Sequence, residues 1–209
     1  MRLAILGASG HGKVVADAAG FAGWDDVVFF DDAWPGLTQN GPWPVVGDTA
    51  ALLKIVDSFE GVVVAIGNNR IRREKQLKLT ASGARIVTVI HPAAVVSGYA
   101  DVGVGAVVFA NAVINACASV GEGCIVNTGS VVEHDCVLGE FAHVSPNSVL
   151  AGGVKVGPLA WVGACASVRQ LIAVGEGAVV GMGAVVTKDV PPGVTVVGNP
   201  AKVFEPRKS

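Results

Sequence analysis

From Val96 onward an aliphatic side chain recurs at every sixth position: Val96, Val102, Val108, Ile114, Val120, Val126, Val132, Leu138, Val144, Leu150, Val156, Val162, Val168, Val174, Val180 and Val186. The residue two before each is Ala, Cys or Ser in fourteen of these sixteen hexads, the exceptions being Val154 and Ile172. Glycine repeatedly follows the aliphatic residue, as at Gly103, Gly121, Gly139, Gly157, Gly163, Gly175 and Gly181. A period of six matches neither the 3.6 of an amphipathic helix nor the 2 of a half-buried strand. It does match a parallel β-helix. Each hexad forms one short face of a triangular coil, the aliphatic residue points inward, and small residues turn the corner. Three hexads close a coil, so this stretch predicts about five coils, each aliphatic residue stacking on its counterpart eighteen positions away. A β-sandwich would instead need alternation broken by turns every 8–12 residues.

Residues 1–90 follow another pattern. Apolar runs at Leu3–Leu6, Val27–Phe30, Val62–Ile66 and Ile86–Ile90 read as strands, and Lys13–Gly20, Thr49–Ile55 and Asn69–Ala81 read as helices between them. Strands alternating with helices predict a small parallel sheet covered by helices, of half-Rossmann type. The Pro- and Gly-rich stretch Ala33–Gly47 reads as a surface loop. The expected organisation is therefore an α/β domain over 1–90 and a β-helix with a C-terminal tail over 91–209.

Composition narrows the classes. The chain is 51% hydrophobic with a mean hydropathy of +0.56, yet no stretch approaches the roughly 18 uninterrupted apolar residues of a membrane span. No membrane insertion is expected. The N-terminus has no apolar core with a small-residue cleavage site, which points to the cytoplasm. Residues 96–186 hold two basic residues, Lys155 and Arg169, against six acidic ones, a balance unsuited to gripping a nucleic acid. Cys117, Cys124, Cys136 and Cys165 lack C-x-x-C spacing and a nearby His pair, so no metal is expected and the thiols read as structural.

Candidate chemistry lies where the patterns break. After the first strand comes Gly7-Ala8-Ser9-Gly10-His11-Gly12, a glycine-rich turn into a helix that admits a phosphate to backbone N–H groups, although a tight turn needs glycines for its own sake. Asp31-Asp32 ends the second strand, where dinucleotide folds place a ribose-binding carboxylate; a solvated turn is the alternative. Four strands supply little more than one mononucleotide half, which fits a nucleotide-sugar better than NAD. In the repeat region the largest departure is Asn127-Thr128-Gly129-Ser130-Val131-Val132-Glu133-His134-Asp135, followed by His143. His134 lies two residues past an inward Val, off the core, between two acids that favour proton uptake.

The hexad pattern, with the ending Asp189-Val190-Pro191-Pro192-Gly193-Val194 and Val197-Gly198-Asn199-Pro200-Ala201-Lys202, resembles the left-handed β-helix acyltransferases. Further motifs are Gly7–Gly12 with Lys13-Val14-Val15, Asp31-Asp32, Ala65-Ile66-Gly67-Asn68-Asn69-Arg70-Ile71-Arg72, Val89-Ile90-His91-Pro92, Asn127–Asp135 and His143-Val144-Ser145-Pro146. Together they resemble the sialic acid O-acetyltransferase-type sugar acyltransferases, and most of all the bacterial N-acetyltransferases of UDP-4-amino-4,6-dideoxy sugars in the bacillosamine pathway.

The resemblance implies a left-handed helix, acetyl-CoA as cosubstrate, a nucleotide-linked amino sugar as acceptor, and a homotrimer with active sites between subunits. It implies His134 as general base, Asp135 as its orienting carboxylate and Asn127 as a polar partner in the active-site cleft. His143, Gly152, Gly163, Ala164 and Gly181 are expected at the acetyl-CoA site. Gly7, Ser9, Gly10, His11, Gly12, Asp31, Asp32, Gly67 and Asn68 are expected at the sugar-nucleotide site. Asp135 stands where some relatives carry Glu. An O-acetyltransferase on sialic acid, an N-acetyltransferase on a GDP-linked sugar, a noncatalytic scaffold and an NAD oxidoreductase are the competing readings.

Overall fold

The computed structural model describes residues 1–205, which divide into two compact units, Met1–Pro92 and Ala93 onward. In the first unit, strands β1 (Arg2–Leu6), β2 (Asp26–Phe30), β3 (Gln39–Asn40), β4 (Trp43–Gly47) and β5 (Gly61–Val64) form one sheet in the order β3-β4-β2-β1-β5. The pairs β1–β2, β1–β5 and β2–β4 are parallel. Helices α1 (Gly10–Phe21), α2 (Thr49–Leu53) and α3 (Asn69–Ala81) complete the layers. Leu3, Ile5, Phe29 and Val63 are as buried as Ala4, Leu6, Phe30 and Val62, as continuous apolar runs covered on both faces require. From the central β1 the chain goes to β2 on one side and to β5 on the other. A crevice forms outside the carboxyl ends of parallel strands where the order reverses in this way.

Two expectations are corrected. The stretch 33–47 is not all loop: Gln39–Asn40 and Trp43–Gly47 pair antiparallel around Gly41 (φ +65°), and β4 also pairs with β2. Its prolines are tolerated because pairing is short and irregular, with a register shift between Phe29 and Phe30. The run Ile86–Ile90 is not a full strand of this sheet. It meets β5 at one bridge, where Val62 exchanges bonds with Arg85 and Val87.

The second unit is a left-handed parallel β-helix. Each hexad contributes a two-residue strand ending on its aliphatic residue. Face one stacks Val95–Val96, Val113–Ile114, Val131–Val132, Val149–Leu150, Ser167–Val168 and Val185–Val186. Face two begins at Asp101–Val102 and includes Val137–Leu138; face three runs from Val107–Val108 through Ile125–Val126, His143–Val144 and Trp161–Val162 to Val179–Val180. Residues eighteen apart pair in parallel register, for example Val113 with Val131 and His143 with Trp161. The inward aliphatic residues and the small residues two before them make one core. An antiparallel hairpin, Thr195–Val197 with Lys202–Val203, covers the last rung of face three and so blunts an exposed strand edge.

From Gly105 to Gly183, the corner residue three before each inward aliphatic residue adopts a left-handed conformation. It is glycine at Gly105, Gly123, Gly129, Gly153, Gly177 and Gly183, and non-glycine at Asn111, Cys117, Asp135, Phe141, Asn147, Leu159, Cys165 and Leu171. This divides the cysteines. Cys124 and Cys136 occupy the inward small position and are buried, their thiols donating to the carbonyls of Gly139 and Ala151. Cys117 and Cys165 are exposed because they occupy the corner, so they are not core thiols as expected.

Candidate functional site

Three groups of side chains carry the polar chemistry. The first is at the edge between faces one and two. Val132 ends a strand of face one, Val137 begins one of face two, and His134 and Asp135 turn the corner between them. Asp135 adopts φ +61°, which a short polar side chain tolerates better than most. His134 Nδ1 lies 2.7 Å from Asp135 Oδ2. A carboxylate only accepts in its ionised form, so Nδ1 carries the hydrogen and Nε2 keeps an acceptor lone pair. The hydrogen bond to Asp135 is the main cause raising the imidazole pKa above its ordinary 6.5, with the charges of Asp135 and Glu133 adding to it. Both side chains are well exposed. On the next coil Gly153 N–H donates to the His134 carbonyl at 2.9 Å, and Gly152 lies under the ring. A Cβ at Gly152 would stand 2.5 Å from His134 Nε2. Gly152 thus makes room for the imidazole, and the groove described next is lined by other residues.

The second group lies on face three. His143, Ser145, Pro146, Trp161, Gly163, Ala164, Val179, Val180, Gly181 and Met182 surround a largely apolar groove of about 430 Å³. The parallel register sets His143 beside Trp161, and the rings stack at 5.1 Å with 15° between their planes. Trp161 Nε1 donates to Ser145 Oγ at 2.7 Å. Asn127 Oδ1 accepts from Thr128 N–H, which turns Nδ2 toward His143 Nε2 at 3.2 Å. Nε2 of His143 is therefore an acceptor. Asn127 thus stands beside His143 on face three. Of the residues expected around acetyl-CoA, His143, Gly163, Ala164 and Gly181 converge here, while Trp161, Ser145 and Met182 were not foreseen. In a triangular coil the edge between faces one and two lies opposite face three. One chain alone therefore keeps His134 away from this groove.

The third group is in the first unit, at the carboxyl ends of β1, β2 and β5. A cavity of about 270 Å³ is lined by Leu6, Gly7, Ser9, Asp31, Asp32, Thr49, Ile66, Gly67, Ile71 and Lys75. Gly7 (φ +111°) and Gly12 are required by packing, since a Cβ would stand 2.7 Å from the Ala65 carbonyl oxygen and 2.3 Å from that of Gly7, respectively. Gly10 and Gly67 are different: a Cβ there would meet nothing within 4 Å. The Ser9 hydroxyl is not spent on capping α1. Asn68 is engaged by the fold, its Oδ1 capping α3 through Arg70 N–H and Ile71 N–H. His11 is held near pKa 4 by burial and by the neighbouring Arg72, so it offers a neutral ring rather than a cation. Arg72 is fully buried and ties down the β5–α3 turn, donating to the carbonyls of Ile66 and Gly67 and to Asn69 Oδ1. Lys75 forms an ion pair with Asp32 at 2.7 Å, and this bond is the main cause holding the Asp32 carboxyl at about 2. Lys75 was missed because it lies on the helix outside every motif, and Arg72, the last residue of the run Ala65–Arg72, was given no role of its own.

Among the described residues no helix is long and apolar enough to cross a membrane, and no cluster of three or more His, Cys, Asp or Glu is placed to hold a metal. Residues 2–79 match the PglD N-terminal domain family. A curated UDP-N-acetylbacillosamine N-acetyltransferase from Bacillus subtilis is 35% identical over 111 residues, which is 52% of this chain and about half (51%) of the relative's own length. The acetyltransferase domain of PglB from Neisseria gonorrhoeae, solved with acetyl coenzyme A, is 42% identical with a TM-score of 0.93, covering 97% of this chain and 98% of that one. PerB from Caulobacter crescentus, solved with CoA and GDP-perosamine, is 38% identical over 98% of both chains, also with a TM-score of 0.93.

Proposed function

Since the chain belongs to the hexapeptide-repeat sugar acetyltransferases that carry a PglD N-terminal domain, we propose that it transfers the acetyl group of acetyl-CoA to the 4-amino group of a UDP-linked 4-amino-4,6-dideoxy sugar in bacterial glycan biosynthesis. The observation that carries this reading is the His134–Asp135 pair, with Nδ1 committed to the carboxylate at 2.7 Å and Nε2 left to accept a proton. A sugar amine is mostly protonated at neutral pH and must lose that proton to solvent before its lone pair attacks. The amine nitrogen then bonds to the thioester carbonyl carbon, and His134 Nε2 takes the remaining surplus proton from nitrogen. When the tetrahedral intermediate collapses, the C–S bond breaks and CoA leaves as thiolate, which recovers the proton from His134. No covalent enzyme intermediate is needed. Cys136 suits that scheme, since it is a buried thiol whose pKa is raised by burial.

The apolar groove on face three holds the acetyl-CoA in this reading, beside the stacked His143 and Trp161. The cavity of the N-terminal unit holds the nucleotide, with Gly10 and Gly67 open to close approach and Asp31 and Asp32 toward ribose or base. Because His134 and the groove lie on opposite sides of one chain, His134 of one subunit works on the groove of its neighbour. A homotrimer closes three such sites by symmetry.

A GDP-linked amino sugar is the second reading, favoured by the full-length likeness to PerB with its bound GDP-perosamine. The test is a panel of acceptors: UDP- and GDP-linked 4-amino-4,6-dideoxy sugars, the corresponding 4-hydroxy sugar and free sialic acid, each with acetyl-CoA. The UDP-linked amine is expected to have the highest kcat/KM and the hydroxyl acceptor to fall about 10⁴-fold below it, since a site built for an amine leaves polar groups unpaired around a substitute. Comparable rates for amine and hydroxyl, or preference for sialic acid, would move the chain to the O-acetyltransferase branch.

A further inference from the structure

The cavity at the carboxyl ends of β1, β2 and β5 has two aspartates and one lysine on its wall. The diphosphate of a nucleotide-linked sugar brings two negative charges of its own, so this balance bears on whether such a ligand enters. Asp31 is oriented by the backbone, its oxygens accepting from Ala8 N–H at 2.7 Å and Ala33 N–H at 2.9 Å. Asp32 is arranged differently. Its Oδ1 accepts from Thr49 N–H at 3.0 Å and its Oδ2 from Lys75 Nζ at 2.7 Å, while Nζ also donates to Thr49 Oγ1 at 3.1 Å. The three residues come from the end of β2, the start of α2 and the second turn of α3, so only the folded unit assembles them. A carboxylate accepts about four hydrogen bonds. Lys75 and the backbone and side chain of Thr49 use up to three, and the Asp32 side chain is 58% exposed, so acceptor capacity remains at the cavity wall.

We propose that Lys75 is a positioning residue for the nucleotide, clamping the Asp32 carboxylate in one orientation and cancelling its charge so that a two-aspartate cavity admits an anionic nucleoside diphosphate. This rests on the assignment of the nucleotide to this cavity. Lys75 acts through Asp32: the carboxylate receives ribose hydroxyls or a base N–H, and the ammonium removes the repulsion that a bare carboxylate would impose on the diphosphate.

The experiment uses the full chain and four variants, Lys75→Met, Lys75→Arg, Asp32→Asn and the double Lys75→Met/Asp32→Asn, with kcat and both KM values measured and melting temperature as the folding control. Lys75→Met is expected to raise the sugar-nucleotide KM about 10- to 30-fold, the scale of one uncompensated charge roughly 8–12 Å away near a protein surface, and to leave kcat and the acetyl-CoA KM within about twofold. Lys75→Arg should retain most of the affinity. Asp32→Asn should raise the same KM, and the double variant should be no worse than Lys75→Met, because the charge that needed cancelling is gone. If Lys75→Met proves unstable, Lys75→Gln makes the same test while keeping a donor. A raised KM in Asp32→Asn with none in Lys75→Met, or losses that multiply in the double variant, would overturn the role of Lys75 and leave the nucleotide in this cavity. No change in either single variant would remove the nucleotide assignment as well.

Discussion

The tautomer of His134 is where a single hydrogen bond decides chemistry. With Asp135 holding Nδ1–H, the imidazole presents Nε2, and the same bond raises the pKa above 6.5. The base works only when neutral, so kcat/KM should fall as pH drops through a value above 6.5. Asp135→Asn keeps the left-handed corner, which Asn also tolerates, but loses the charge. Its acid limb should move to lower pH while the plateau drops about 10- to 100-fold. His134→Ala should lose at least ~10²-fold in kcat with an unchanged melting transition, because the ring is exposed and supports no core. pH–rate profiles of the two variants beside the parent check both statements, and a near-parental rate in His134→Ala would make the histidine a bystander. His134 and Asp135 were legible because they interrupt a monotonous repeat. Trp161 interrupts it too, one residue before an inward Val, and could have been found by the same rule. Lys75 could not, since a lysine on a polar helix resembles any solvated charge until α3 packs beside Asp32.

Among elements, the two exceptions to the small-residue rule turn out to be neighbours. Val154 and Ile172 are one coil apart, and the same column runs through Ala118 and Cys136 before reaching them. Both are buried, at 0% and 5% exposure, so the coils there are filled by two larger side chains stacked on one another instead of two small ones. Ile172→Ala should therefore cost about 2–4 kcal/mol through the cavity left behind. Ala118→Ile, the reverse change at a column position that kept its alanine, should cost about 1–3 kcal/mol by overpacking. Urea denaturation of the two variants tests the pair; equal and negligible losses would mean the column is slack. The hexad period made the coils and their inward residues readable in advance. It did not announce β3 and β4, because prolines and a Gly-Pro turn mask a short edge pairing whose partner lies elsewhere in the chain.

On the scale of the whole molecule, the separation of His134 from the face-three groove makes one folded chain insufficient for the proposed reaction. Mixed assemblies offer the direct check. His134→Ala removes the base, and Ala164→Trp fills the groove that Ala164 lines. Each variant alone should be inactive, whereas co-refolded or co-expressed mixtures should regain a fraction of parental activity, because some interfaces pair an intact His134 with an intact groove. A mixture as inactive as its components, or a monomer by light scattering at micromolar concentration, would place base and groove in one chain and contradict the intersubunit site.

The sequence by itself determined the β-helix, its inward residues and the corner at which His134 stands, because a six-residue period admits one regular way of burying an aliphatic side chain per hexad. It also marked the glycine turn and the aspartate pair, since those residue types are needed locally wherever a strand turns tightly into a helix. Only the tertiary structure decided which of these groups act together. Asn127 went to His143, Gly152 to the His134 ring, Asn68 to the α3 cap, and Lys75 to Asp32 across 43 residues of chain. Those partnerships are made between side chains brought together by packing, and no local pattern records a contact whose two halves are folded into place from distant elements.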